Sequence, residues 1–160
     1  LPIYELTGLF NRRGFLTLAE YALLTAQRRH EPVSLAFVDL DRFKHINDTW
    51  GHEEGDRALI AIADLMKAAF RESDILARQG GDEFIILFAN TSRHDAATAM
   101  ETLSHNVARF NQQAANPWQL AFSWGCVEYD PASHPSLNAL VATADRLMYQ
   151  AKQKQGRERR

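Results

Sequence analysis

The feature that most constrains the fold of this chain is a nearly continuous apolar run over residues 33–40. A run without the polar alternation of a half-exposed strand is typical of a central buried strand. Asp41 is a suitable N-cap for a short helix that follows this strand and reaches Asn47. Apolar residues at helical spacing predict four longer helices, over residues 11–29, 53–70, 92–110 and 136–154.

The remaining segments predict three more strands. Two short strands over residues 74–79 and 83–88 flank the Gly80-Gly81 pair, which is a hairpin turn signal. A last strand is expected over residues 118–129. The order β-α-α-β-β-α-β-α predicts an α+β domain whose helices pack against a sheet containing antiparallel strands, the split βαβ or ferredoxin-like arrangement of polymerase palms. Many activities share such a fold, so it does not define a function.

Composition narrows the class of protein. The chain has 160 residues, enough for one domain, and a formal net charge of -2, so we expect no binding to nucleic acid polymers. Cys126 is the one cysteine, which excludes an internal disulfide and indicates a reducing compartment such as the cytoplasm. No apolar run is long enough to span a membrane, so we expect no direct membrane contact. The last residues, 156–160, are charged and expected to fray.

Two pairs of carboxylates fall next to predicted strands. Asp39 and Asp41 lie where the first strand runs out, and Asp82 and Glu83 follow the glycine pair. If the two strands are neighbours, Asp39 and Asp82 can converge at one end of the sheet. Convergent carboxylates suit Mg²⁺, which binds through one or two of them and leaves room for phosphate oxygens. The alternative is that Asp41 only caps a helix and Asp82 only occupies a turn.

The segment between the carboxylates has features of a nucleotide site. Phe43 and Lys44 begin the short helix, where free amides and a lysine charge bind phosphate. Asn47 and Asp56 lie at the facing ends of two helices, where an amide and a carboxylate can together read a guanine edge. The glycine pair lets a phosphate or base approach the backbone. Plainer readings stay open: a solvated lysine, a helix-capping Asp56 and an ordinary glycine turn.

These residues belong to four linked motifs: LTGLFNRR at 6–13, VDLDRFKHIND at 38–48, GHEEGD at 51–56 and RQGGDEF at 78–84. The set strongly resembles the GGDEF family of diguanylate cyclases, and the resemblance extends over essentially the whole chain. These enzymes condense two GTP molecules into cyclic di-GMP and release pyrophosphate. Because the chain begins with Leu1 rather than methionine, we expect residues 1–160 to be the excised C-terminal output domain of a longer signalling protein. Its upstream sensor, and any membrane anchor, would lie in the missing N-terminal part.

The resemblance assigns roles to individual residues. It implies Mg²⁺, with Mn²⁺ as an alternative, bound by the carboxylates of Asp39 and Asp82 and the carbonyl of Leu40. Two such ions ~3.5–4 Å apart can polarise both the attacking hydroxyl and the leaving pyrophosphate. Asp82, Glu83 and Lys44 are implied as catalytic, with Glu83 assisting metal binding or activation of the 3′-hydroxyl. Substrate contacts are implied for Phe43, Lys44, Asn47, His52, Asp56, Lys152 and Arg157.

One assigned residue has an alternative reading, and two positions depart from the family pattern. His52 has two equally supported roles: it lines the base pocket, or it is a buried histidine that stabilises its loop. Tyr4 stands where the family usually has an aspartate, at the hinge to the upstream part, so this departure concerns signal coupling and not chemistry. Three residues instead of two separate Lys152 from Gly156-Arg157, which leaves the register of Arg157 open.

Arg71 and Asp74 form an RxxD motif that begins nine positions before Gly80. At this offset many family members have an inhibitory site for the product, so the resemblance implies inhibition by cyclic di-GMP. The alternative is a simple charge pair at the end of a helix.

The resemblance also implies a homodimer. Each domain holds one GTP and presents its 3′-hydroxyl to the α-phosphate on the other, so two domains must face each other with two-fold symmetry. The rival function is a catalytically silent GGDEF module that binds GTP or cyclic di-GMP and signals by contact, against which the intact RQGGDEF segment argues. A related enzyme using another nucleotide is disfavoured by the guanine-reading pair.

Overall fold

The computed structural model describes residues 3–158, with side chains up to Gly156. This part of the chain forms five helices and four strands: α1 (Arg12–Arg29), β1 (Ser34–Leu40), α2 (Phe43–Trp50), α3 (His52–Ala69), β2 (Ile75–Gly80), β3 (Glu83–Phe88), α4 (Arg93–Gln113), β4 (Phe122–Glu128) and α5 (Leu137–Glu158).

The four strands form one antiparallel sheet in the order β2-β3-β1-β4, so the strand predicted to be central is central. The side chains of β1 alternate between the two faces of the sheet. Ala36, Val38 and Leu40 enter a core shared with α3 and α4. Leu35 and Phe37 enter a second core, shared with α1 and α5. Burial on both faces explains the continuous apolar run, and the predicted ferredoxin-like α+β arrangement is confirmed.

The hairpin between β2 and β3 turns one residue later than the glycine pair indicates. β2 ends at Gly80 and β3 begins at Glu83, so Gly81 and Asp82 form the turn. Gly81 has a φ of 50°, a left-handed conformation that costs glycine little. The pairing register shifts between Arg78 and Gly80, an irregularity of the β-bulge kind that bends a strand end. The turn carries Asp82 to the end of β1.

The short helix begins after Arg42, and the prediction that Asp41 is its N-cap is wrong. Arg42 occupies the cap position with a left-handed φ of 58°, and no described side chain caps the first amides. Asp41 is only 7% exposed and accepts a hydrogen bond of 2.8 Å from Ser123 Oγ on β4. A buried carboxylate needs such a partner, which decides its orientation. The helix runs on to Trp50 instead of ending at Asn47.

β4 and α5 differ from the predicted elements at their ends. β4 begins only at Phe122, because the side chain of Asn111 binds the N–H and carbonyl of Leu120 at 2.8 and 2.7 Å. These bonds hold the preceding residues in a loop. α5 continues through Glu158, beyond its predicted end at residue 154.

α5 packs very close to β4, and this contact positions a lysine. A Cβ at Gly125 would collide with the backbone of Ala144 and Met148 on α5. Glycine therefore lets the helix and the strand approach each other. One helical turn beyond Met148, Lys152 reaches Asp39 at the end of β1.

Candidate active site

Asp39 and Asp82 meet at one end of the sheet, as the sequence predicts. β1 and β3 are neighbours in the sheet, and Asp39 lies opposite Glu83 in their register. The N–H of Leu40 donates to the carbonyl of Asp82 at 3.0 Å, which ties the hairpin turn to the end of β1. The side chain of Asp82 is close enough to that of Asp39 for a hydrogen bond when Asp82 is protonated.

Burial and mutual repulsion raise the pKa of two carboxyls in this cluster. Burial, followed by the charge of Asp39 and a hydrogen bond with it, raises the pKa of Asp82 above 3.8. Burial, followed by the charges of Asp39 and other carboxylates, raises the pKa of Glu83 above 4.5. The Lys152 ammonium lowers the pKa of both groups but does not cancel either shift. The cluster therefore carries excess negative charge, which favours a cation.

Lys152 enters the cluster from α5. Its Nζ lies 2.9 Å from Asp39 Oδ2 and 3.9 Å from Asp41 Oδ1. Ser123 Oγ bridges Asp41 Oδ1 at 2.8 Å and Gln155 Oε1 at 3.3 Å. The two ion pairs of Lys152 hold its ammonium group beside the carboxylates. From this position the lysine can also contact an anionic ligand.

The donor set fits a hard divalent cation. Asp39 Oδ1 is buried and has no hydrogen-bond partner among residues 3–158, so an acceptor is available beside Asp82. The described part of the chain contains no group of three or more His, Cys, Asp or Glu residues arranged to hold a metal. Mg²⁺ does not require such a cage, because it binds through one or two carboxylates together with water and substrate phosphates. Asp39 and Asp82 would hold the ion, with the adjacent Leu40 carbonyl available as the expected backbone ligand.

The glycine turn leaves space for a ligand beside the carboxylates. A Cβ built on Gly80 or Gly81 would meet no atom of the described chain within 4 Å. Neither glycine is therefore required by internal packing. An open backbone at this turn lets a phosphate or base approach closely.

A second close approach places Asn47, one residue of the expected guanine-reading pair, next to the residue before Asp56, the other member of the pair. The side chain of Asn47, in the last turn of α2, lies against Gly55 in the first turns of α3, where a Cβ would collide with Asn47 Oδ1. Asp56 follows Gly55 and is exposed. His52 is exposed at the first position of α3, so the alternative of a buried, loop-stabilising histidine is wrong.

The expected phosphate contacts lie around the start of α2 and the end of α5. The first amides of α2 have no side-chain cap in the described structure, Phe43 packs against the core, and Lys44 is exposed. The side chain of Arg157 lies outside the described residues.

Arg71 and Asp74 bind each other at the opposite end of the β2–β3 ladder from the turn. Asp74, with a side chain 2% exposed, accepts from the N–H of Arg71 at 2.9 Å and from the N–H of Ala89 at 3.2 Å. The guanidinium of Arg71 donates to Asp74 Oδ1 at 3.1 Å, and at 2.7 Å to both the Ala89 carbonyl and Thr91 Oγ1. Arg71 remains 57% exposed. The two residues of the expected product site thus form an ion pair with each other, in which Asp74 is buried and Arg71 is accessible to solvent.

Three contacts of the site were not found from the sequence. The indole N–H of Trp118 donates to Glu54 Oε2 at 2.7 Å, next to Gly55. Ser123 orients Asp41, and Arg78 Nε donates to the Gly81 carbonyl at 2.9 Å. The first two join distant parts of the chain, for which the sequence carries no local signal. Arg78 could have been found, since it lies within the RQGGDEF segment.

The fold defines a palm-type α+β domain of the ferredoxin-like class, with an acidic centre at one end of its sheet. The chain belongs to the GGDEF family, described as "Diguanylate cyclase, GGDEF domain", whose profile matches residues 4–159. Diguanylate cyclase DosC of Escherichia coli is 36% identical over 154 residues, which are 96% of this chain and 33% of DosC. Probable diguanylate cyclase DgcC of the same species is 34% identical over 155 residues, covering 96% of this chain and 41% of DgcC. The chain thus spans about a third of the length of the first of these relatives.

Solved structures agree with the family assignment. The GGDEF domain of DgcB from Caulobacter crescentus, in complex with c-di-GMP, superposes with a TM-score of 0.87 at 28% identity, covering 96% of this chain and 91% of that one. The GGDEF domain of TpbB (YfiN) from Pseudomonas aeruginosa gives a TM-score of 0.86 at 34% identity, covering 95% and 89%. Within residues 3–158, no helix is both long and apolar enough to cross a membrane.

Proposed function

We propose that this domain is a diguanylate cyclase, which joins two GTP molecules into cyclic di-GMP and releases pyrophosphate. The observation that carries the proposal is the Asp39–Asp82 pair. One carboxylate has a buried oxygen without a partner in the described chain, and the other has a raised pKa. Mg²⁺, with Mn²⁺ as an alternative, would supply charge neutralisation of the triphosphate here. Relatives named as diguanylate cyclases support the same activity.

The remaining residues bind and orient GTP. Asn47 and Asp56 bind the guanine edge, which is supported by the contact of Asn47 with Gly55, the residue before Asp56, across the α2–α3 junction. The free amides at the start of α2, together with Phe43 and Lys44, receive the phosphates. Lys152 exchanges its ion pair with Asp39 for a phosphate contact when substrate is present. His52, exposed beside this junction, lines the base pocket.

The chemistry requires the 3′-oxygen of one GTP to attack the α-phosphorus of the other. The new O–P bond forms as the bond to pyrophosphate breaks, and the hydroxyl proton passes to a base. Glu83 is suited to accept that proton, because a glutamate with a raised pKa is a stronger base than an ordinary one. A second, reciprocal attack closes the ring. Alignment and charge neutralisation are the main contributions of a protein to such a transfer.

Two copies of the domain act together, because each binds one GTP and the nucleotides must meet. The domain is the output part of a longer cytoplasmic signalling protein. Arg71 and Asp74 form its inhibitory product site, which is supported by the exposure of Arg71 and by its distance from the turn along β2. Such a site would couple product binding to turnover without competing for the GTP pocket.

The test is incubation with GTP and Mg²⁺ followed by mass spectrometry for cyclic di-GMP. Asp82→Asn should abolish product, whereas the matched control Asp64→Asn, an exposed carboxylate paired with Lys67, should leave product formation unchanged. Specific activity should rise with protein concentration in the dilute range, since two loaded domains must meet. A domain that binds GTP but forms no product would instead be the silent module, and the proposal would be rejected.

A further inference from the structure

The residues before α1 form a compact hook, defined here as residues 3–10. The N–H of Tyr4 donates to the Leu9 carbonyl at 2.8 Å, and the N–H of Gly8 donates to the Tyr4 carbonyl at 2.8 Å. Leu9 is buried in the core beside α3. The backbone of Tyr4 is therefore fixed by two hydrogen bonds, one of which is to Leu9, a residue whose side chain is buried in the core.

The hook is attached to the exposed edge of the sheet. The N–H of Phe10 donates to the Leu76 carbonyl at 3.2 Å, and the N–H of Arg78 donates to the Phe10 carbonyl at 2.9 Å. Phe10 thus pairs in parallel with Ala77 of β2, the edge strand. The pairing covers backbone groups that an edge strand otherwise leaves open. It also brings the hook beside Arg78.

The side chain of Arg78 connects the hook to the turn formed by Gly81 and Asp82, named here the catalytic turn. Its guanidinium carbon lies 4.8 Å from the centroid of the Tyr4 ring. Its Nε donates to the Gly81 carbonyl at 2.9 Å. The next residue, Asp82, is tied to β1 through the N–H of Leu40 at 3.0 Å. A continuous line of contacts therefore runs from the Tyr4 ring to the acidic centre.

We propose that Tyr4 is a positioning residue for the catalytic turn, holding the Arg78 guanidinium so that its Nε braces the carbonyl of Gly81. A cation over an aromatic face is held by the charge distribution of the ring, which restricts an otherwise flexible arginine. The bond to Gly81 is exposed and competes with water, so its occupancy depends on that restriction. The effect on turnover rests on the proposed cyclase function, because misplacement of a carboxylate slows a reaction that depends on alignment.

The test compares two substitutions at the same position. Tyr4→Phe keeps the ring face, whereas Tyr4→Leu keeps apolar bulk and removes the ring. We expect the kcat of Tyr4→Leu to fall about three- to fivefold, the scale of one exposed cation–ring contact, with an unchanged KM for GTP. Tyr4→Phe should stay close to the unsubstituted domain. If Tyr4→Leu lowers the melting temperature, Arg78→Met cuts the same connection from the other end and carries the same expectation.

A second readout does not depend on activity. Amide hydrogen exchange at Leu40, measured by NMR, reports the bond to the Asp82 carbonyl. Exchange should be faster in Tyr4→Leu than in Tyr4→Phe. Equal kcat and equal Leu40 exchange in the two variants would overturn the role of Tyr4 while leaving cyclase activity intact. A domain that makes no cyclic di-GMP would reject the proposed function instead, and Leu40 exchange would still decide whether Tyr4 positions the turn.

Discussion

Lys152 Nζ lies 2.9 Å from Asp39 Oδ2, while Asp39 Oδ1 is buried without a hydrogen-bond partner in the described chain. The lysine offsets part of the negative charge of the cluster, but the pKa of Asp82 stays raised by burial and by Asp39. Without a bound cation, repulsion and desolvation of the carboxylates at the acidic centre therefore destabilise the folded domain. Destabilising charge clusters with a shifted pKa are typical of sites that bind a charged ligand.

Asp82→Asn should stabilise the metal-free domain at neutral pH although it removes turnover. A carboxyl whose pKa is raised by folding contributes stability that is complete below the unfolded pKa and is lost as pH rises through the folded pKa. Ionised Asp82 is therefore a net cost at neutral pH. Asparagine keeps the shape without the charge, so thermal unfolding in EDTA should give a higher Tm.

The gain from Asp82→Asn should shrink as pH falls through the raised pKa of folded Asp82 and disappear below 3.8, where Asp82 of the unsubstituted domain is protonated in both the folded and the unfolded state. Asp64→Asn, which changes an exposed carboxylate paired with Lys67, serves as the control and should show no such pH-dependent gain. A Tm for Asp82→Asn at or below that of the unsubstituted domain at neutral pH would contradict the assignment of excess charge to this cluster.

Gly55→Ala should weaken GTP binding without weakening the fold. The added Cβ would collide with Asn47 Oδ1 and displace the amide that is proposed to bind guanine. Loss of one hydrogen bond corresponds to roughly three- to tenfold weaker binding, measurable by calorimetry with GTP. Alanine is also a better helix former than glycine by about 0.5–1 kcal/mol, which opposes any loss of stability.

Gly156→Ala is the matched control for this prediction. Gly156 is also helical, but no atom of the described structure lies within 4 Å of a Cβ there. Gly156→Ala should therefore stabilise the helix and leave the affinity for GTP unchanged. Equal GTP affinity in Gly55→Ala and the unsubstituted domain would show that Asn47 does not read the base.

The elements and the acidic pair were predictable from the sequence because each has a local signal. An apolar run marks β1 up to Asp39, and two glycines mark the hairpin that carries Asp82. Contacts between distant residues have no such signal. Asp41 was assigned to the helix start by a local rule, but Ser123, 82 positions away, decides its orientation. The ion pair of Lys152 with Asp39 spans 113 positions and reflects the close packing of α5 on β4.

Trp118→Phe should raise the KM for GTP several-fold with little change in kcat. The indole N–H donates to Glu54, which lies in the turn of α3 that carries Gly55 and Asp56. Phenylalanine keeps most of the ring but removes the donor, so the start of α3 becomes less well fixed. The lost hydrogen bond should also cost about 1 kcal/mol, or ~2–4 °C in Tm.

Glu54→Gln provides the comparison for Trp118→Phe, because its amide oxygen can still accept the bond from Trp118. It should remain near the unsubstituted values of KM and Tm. If Glu54→Gln and Trp118→Phe lower GTP affinity equally, the charge of Glu54 and not its hydrogen bond matters. An unchanged KM in Trp118→Phe would show that the hydrogen bond from Trp118 to Glu54 has only a structural role and does not affect GTP binding.

Arg71→Ala should leave the initial rate nearly intact and remove inhibition by cyclic di-GMP. Arg71 lies at the far end of the β2–β3 ladder from the catalytic turn, so its loss does not reach the acidic centre. Asp74 would keep its bonds from the N–H groups of residues 71 and 89, and the local backbone should therefore remain folded. The measurement is a set of progress curves with cyclic di-GMP added at the start.

The accessible guanidinium of Arg71 is the group suited to a phosphate or guanine acceptor of the product, because its planar donors bind two oxygens at once. A ligand would have to replace its bonds to Ala89 and Thr91, so product affinity is set by a competition inside the domain. Thr91→Val, which removes one competitor, should strengthen inhibition about threefold or more. Arg93→Ala, at the exposed start of α4, should leave inhibition unchanged. If added product slows Arg71→Ala as strongly as Arg93→Ala, the RxxD pair is only a structural charge pair.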